Sequence, residues 1–203
     1  MTAHALRAAE IDALEAARAD LYALFSATLG AAPSADLLGR IAGLTGDDTP
    51  LGSALGRLGA AAASADAEAV SRDHFDLFIG VGRGELLPYA SYYLTGFLNE
   101  RPLAAVRADL AAVGIARAEG LHDPEDHIAI LCGAMADMAA RGWRGHASAP
   151  SQALFFQRHL APWAGRFFAD LSRVRACGFY PALGVAGAAF MAVEADAFAL
   201  GDD

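Results

Sequence analysis

The side chains able to do chemistry in this chain crowd into one short run, His122-Asp123-Pro124-Glu125-Asp126-His127. Imidazoles and carboxylates packed this closely can ligate a metal, pass a proton or pair with a cation. Part of the run has an ordinary explanation. Asp123 ahead of Pro124 is a good helix start, because Asp accepts from orphan backbone N–H groups and Pro is tolerated at the first helical position. Glu125 and Asp126 would then sit in the first turn, where the helix dipole favours negative charge. Capping does not explain Asp126 and His127 side by side at the entrance to an apolar face of Ile128, Leu131, Cys132, Met135 and Met138.

Two chemistries suit the run. One is a metal-dependent all-α phosphohydrolase centred on His122-Asp123, which would need a distant His and Asp, with His74 and Asp170 as the candidates. The other is recognition of a partner. Tyr89, Tyr92, Tyr93 and Phe97 fall in or after a long loop, where aromatics either pin the loop to the core or line a groove for a peptide. Gly80-Val81-Gly82-Arg83-Gly84 has the look of a phosphate loop. It follows a helix and runs into Leu86-Leu87-Pro88, whereas a nucleotide fingerprint follows a strand and opens a helix. His159, near Trp163, reads as a residue satisfying backbone groups at a helix junction while Trp163 packs in the core.

The elements that must position these groups are helices. Residues 5–29 carry apolar residues at helical spacing, and Gly30 and Pro33 end that stretch. Ser34 caps a short helix through Leu44, and residues 51–63 form a small-residue helix. Residues 66–79 make a fourth, followed by the Gly/Pro loop 80–91. Pro102 opens a helix that Gly114 closes, and the polar run with its own helix follows. Ser151 caps residues 152–160, Pro162 opens a helix to about Ala176, and Tyr180-Pro181 begins the last, to about Leu200. No segment alternates with period two, so the expected fold is all-α, with about nine or ten helices.

Composition narrows the function. The net charge is −9, and all 15 basic residues are Arg. That argues against nucleic acid or an anionic membrane, and suits a basic partner as well as plain solubility. Cys132 and Cys177 lie apart in apolar sequence, without metal-type spacing, and read as free buried thiols of a reducing compartment. The first twenty residues contain acids and no apolar core, unlike a signal peptide. Residues 176–193 carry no charge, but Pro181 interrupts them, and they read as a loop followed by a buried helix.

Three stretches resemble the TorD/DmsD/NarJ chaperones, the redox-enzyme maturation proteins of bacteria. Phe75 to Leu94 resembles their aromatic and Leu-Phe segment, glycine loop and Pro-x-x-Ser-x-Tyr, here Pro88, Ser91 and Tyr93. Asp123-Pro124-Glu125-Asp126-His127 is similar to their Glu-Pro-x-Asp-His signature, with Asp in place of the first Glu. Phe156 to Leu171 looks like their His-Leu-x-Pro-Trp segment. Leu87-Pro88 stands where many members have Pro-Pro, which leaves the subfamily and its client open.

The resemblance implies a single compact helical chaperone domain over residues 1–203, cytoplasmic, with no catalysis, cofactor or metal of its own. A candidate hinge falls near residues 114–123, and the protein would be a monomer or a domain-swapped dimer. The implied partner is the precursor of a molybdoenzyme catalytic subunit, of formate dehydrogenase or DMSO/TMAO reductase type, with its twin-arginine signal peptide. Neither nucleic acid nor stable membrane insertion is expected. The implied client site is Leu87, Pro88, Ser91, Tyr93, Asp123, Glu125, Asp126 and His127. The apolar middle of the peptide would enter a groove between the 86–93 loop and the 124–138 helix. Its arginines would pair with Asp126, Asp123 or Glu125, and His127 would orient Asp126 or bond to peptide backbone.

Overall fold

Helix starts in this chain are written in short polar side chains. Ser34, Thr49, Asp66 and Ser151 each accept a backbone N–H from three residues on. They open α2 (Ala35–Ile41), α3 (Pro50–Ala63), α4 (Ala67–His74) and α8 (Gln152–His159). The remaining helices are α1 (Ala3–Gly30), α5 (Ala90–Thr95), α6 (Arg101–Ala112), α7 (Ile128–Ala140), α9 (Ala164–Leu171) and α10 (Phe179–Leu200). The computed structural model describes residues 3–116, 123–146 and 148–200, with residues 3–11 as backbone alone. Among the described residues there are ten α-helices and no strand, as the apolar periodicity predicts.

Several boundaries differ from expectation. The helix expected over 66–79 is α-helical only to His74, and its last turn, Phe75–Ile79, is a π-helix. Its wider turn leaves Phe75 and Ile79 exposed. Within the stretch read as loop, Ala90 already begins the short helix α5. Asp123 does not cap α7. That helix starts four residues later than the Asp-Pro signal indicates, and its N-cap is His127, whose Nδ1 accepts from Ala129 N at 3.1 Å. Glu125 and Asp126 therefore lie in the turn before the helix, where His127 N donates to Pro124 O at 3.0 Å. Gly114 ends α6 at φ +76°, as expected. The candidate hinge that follows it falls mostly on residues outside those described.

α7 runs through the middle of the fold, with buried Ile128, Leu131, Cys132, Met135 and Met138. α1 lies along it at close range. A Cβ built on Gly133 would meet Ser26 Oγ at 3.1 Å, and one on Gly30 would meet the Ala129 Cβ at 3.4 Å. α10 packs on α9 and α3. Its Gly187 faces the Phe168 ring so closely that any side chain would collide with it. Tyr22 and Phe25 of α1 meet Phe190 of α10, with ring centroids 4.8 and 5.7 Å apart, and bury a large apolar area. Cys132 is buried and Cys177 half-buried, both as free thiols.

α10 is long and apolar enough to cross a membrane, yet its inner face is core and holds a buried carboxylate. Glu194 accepts from Arg18 Nε at 2.8 Å, from Arg18 Nη2 at 2.7 Å and from the Tyr22 hydroxyl at 2.8 Å. A carboxylate this covered persists only because both oxygens are engaged and a guanidinium balances its charge.

Candidate functional site

The polar run divides at the turn before α7. Asp126 points inward and is 1% exposed. Its Oδ2 accepts from Ser91 N at 2.8 Å and from the Ser91 hydroxyl at 2.5 Å. The carboxylate thus supplies, from a distant part of the chain, the N-terminal acceptor that α5 lacks locally, at the end where its dipole favours negative charge. Backbone bonds repeat the stitch on either side. Ala90 N donates to Asp126 O at 3.0 Å, and Ile128 N donates to Pro88 O at 2.8 Å. The loop at Pro88–Ala90 and the start of α7 are therefore sewn directly together, and the expected groove between them is closed along this stretch.

His127 is 5% exposed, with its ring edge-on to Tyr89 at 5.0 Å. Burial, against the pull of Asp123 and Asp126, lowers its pKa to about 4, so the ring is neutral near pH 7. Its Nδ1 accepts from Ala129, so the proton sits on Nε2, which is a donor. The Tyr89 hydroxyl donates to Asp123 Oδ1 at 2.7 Å. Burial and that bond hold the phenol well above its usual pKa.

The other expected site residues lie apart. Tyr93 packs its ring on Trp163, and its hydroxyl donates to Asp170 Oδ2 at 3.1 Å. Leu87 is half-buried and Pro88 and Ser91 are buried. Of the loop aromatics, Phe97 stands most in solvent, at 70% exposure. The His159 ring is bonded to Asp109 Oδ2 at 2.8 Å rather than to backbone groups, while its carbonyl takes the Trp163 indole N–H at 2.7 Å. Trp163 is in the core, as expected.

A concavity of about 680 Å³ opens on the opposite side of the turn, between α1, α6 and α7. Small and aliphatic residues make its walls: Gly30 from α1, Leu110 and Ala111 from α6, Ile130, Gly133 and Ala134 from α7. Asp123, Glu125 and His127 reach its edge, so three of the expected site residues line it, whereas Leu87, Pro88, Ser91, Tyr93 and Asp126 do not. Arg107 also lines it, and its Nε donates to Glu125 Oε2 at 2.8 Å. Sequence reasoning missed Arg107 and the small residues of α1 and α6. The sequence carries no local sign of them, because the pocket is made by residues from separate helices.

A metal shell is harder to build from these groups. His122 lies outside the described residues. Asp123 is bonded to Tyr89, and Asp170 to Tyr93. Among the described residues no three His, Cys, Asp or Glu side chains come together as a ligand set.

A family model described as the nitrate reductase delta subunit matches residues 44–169. The chain belongs to this family. The match takes in the π turn, the sewn loop, the polar run and the His159–Trp163 junction, the stretches that carry the TorD/DmsD/NarJ resemblance. The chain is also similar to curated relatives. A protein named chaperone protein TorD from Vibrio cholerae is 33% identical over 129 residues, covering 60% of this chain and 59% of the relative. TorD chaperones from Aliivibrio fischeri and Vibrio atlanticus are 31% and 29% identical, covering 57% and 55% of their lengths. The chain thus aligns with less than two thirds of each of these relatives.

Proposed function

We propose that this protein is a molybdoenzyme maturation chaperone without catalysis of its own. It holds the precursor of a catalytic subunit, through an arginine-bearing apolar signal segment, while cofactor is inserted. The observation that carries this reading is the shape and lining of the α1–α6–α7 pocket, apolar within and acidic at its edge. About 300–1,000 Å³ is the usual size of a ligand-binding concavity. A twin-arginine signal peptide has the complementary pattern, a basic start and an apolar middle. Its middle would lie against Leu110, Ile130 and Ala134, which supply affinity by burial. Its arginines would meet Glu125 and Asp123, which supply selectivity. Asp126, Ser91 and Pro88 then act behind the site, holding the α7 turn in place.

Kinship with proteins named TorD chaperones supports the class of function. On this reading the client would be of formate dehydrogenase or DMSO/TMAO reductase type, the setting cytoplasmic, and the chain a single domain with a candidate hinge near residues 114–123.

The test is to fill the pocket. Ala111 is exposed at the pocket wall, so Ala111→Trp blocks the cavity without disturbing the core. Titration of a fluorescent twin-arginine peptide should show at least about tenfold weaker binding, with a thermal melt unchanged within about 2 °C, since surface substitutions stay within ~0.5 kcal/mol. Undiminished binding by Ala111→Trp removes the pocket from the reading.

A further inference from the structure

Arg107 stands on the same face of α6 as Leu110 and Ala111, three and four residues on. Its side chain is half exposed, and it crosses from α6 to the turn before α7 to reach Glu125, itself 13% exposed. Both residues of the pair line the pocket. A guanidinium already occupies the carboxylate to which an incoming client arginine would be drawn, and it offers the same planar fork of donors. Resting on the client-binding reading of this pocket, we propose that Arg107 is an internal competitor for the client's arginine. It pairs with Glu125 in the unloaded protein, gives way when an arginine-bearing segment enters, and pairs again as that segment leaves.

This arrangement has a direct energetic consequence. Loading exchanges one arginine–carboxylate pair for another, so the charge interaction adds little net affinity while Glu125 is never left bare. A chaperone that must surrender its cargo gains reversibility from such an exchange, since re-pairing of Arg107 favours release. The apolar part of the client is unaffected by the competition, because only the half-exposed guanidinium of Arg107 takes part in it.

The experiment uses the full chain, Arg107→Ala, Arg107→Gln and Glu125→Gln, with two synthetic peptides. One carries two arginines ahead of an apolar run, and its twin has glutamines in their place. Both Arg107 variants should bind the arginine peptide about two- to fivefold more tightly than the parent, the range of a half-exposed ion pair. Binding of the glutamine peptide should not change. In a Glu125→Gln background, Arg107→Ala should have no effect. Weaker binding of the arginine peptide by the Arg107 variants overturns the proposal, because it makes Arg107 a contributor rather than a competitor. An equal shift for both peptides, or none for either, overturns it too, while leaving the pocket reading intact. If the parent binds neither peptide, the pocket reading itself fails.

Discussion

Glu125 and Asp126 are adjacent carboxylates, yet Glu125 meets Arg107 at the edge of an open pocket while Asp126 is sealed beneath Ser91. The tight turn at Pro124–His127 sends successive side chains to opposite sides of the α7 start. On one side the chain is sewn shut by Ala90–Asp126, Ser91–Asp126 and Ile128–Pro88 bonds. On the other side Gly30, Gly133 and Ala111 withhold side-chain volume, and a cavity remains. The difference teaches that a motif does not confer one role on all its acids. The buried acid organises the fold, and the acid at the rim lines an open pocket and pairs with Arg107.

That contrast can be broken first by acid. The folded protein keeps His127 neutral down to about pH 4, whereas the unfolded chain takes up that proton near 6.5. The contribution of His127 is therefore complete above about pH 6.5 and is lost as pH falls toward 4, amounting to about 3 kcal/mol at the end of that window. Denaturant unfolding from pH 7 to pH 4 should show the parent losing more stability than His127→Gln. Identical pH profiles would mean that the ring is not held neutral by burial.

Asp126→Ala comes next. It removes two hydrogen bonds to a buried charge and should cost about 2–3 kcal/mol, a fall of roughly 4–12 °C in melting temperature. The folded fraction should still bind a twin-arginine peptide within about twofold of the parent. A tenfold loss of binding at unchanged stability would erase the distinction between the two sides. In an Arg107→Ala background, Glu125→Gln should do the reverse, weakening the peptide about two- to fivefold, with stability changed by no more than about 0.5 kcal/mol. The smallest effect is expected for Tyr89→Phe, which loses one bond to Asp123 and about 0.5–1 kcal/mol, read as a small shift in denaturation midpoint.

The ease of reading each part follows from how local its cause is. The helices, and the caps at Ser34 and Ser151, were legible because apolar spacing and an oxygen three residues before an N–H are short-range facts. Asp123-Pro124 misled for the same reason. It is the stronger local start signal, but the bonds from the 88–91 loop pull the turn out of helical geometry, and His127 takes the cap. The π turn at Phe75–Ile79 follows an apolar pattern that serves an α-helix equally well. The site was only half legible. Asp123, Glu125 and His127 stand out by residue type, whereas the pocket needs small residues on three helices far apart in the chain. Glu194 could not be picked out as a buried ion-pair partner, because Arg18 is 176 residues away.

That last separation has a consequence for how the protein is made. At roughly 5–20 residues per second, the ribosome delivers Glu194 about 9–35 s after Arg18. Throughout that interval Tyr22 and Phe25 lack the Phe190 ring that covers them in the finished molecule. The nascent chain is thus, for many seconds, a polypeptide whose α1 lacks part of its apolar cover. Ribosome-bound chains halted before α10 should be cut readily within α1, and completed chains should resist.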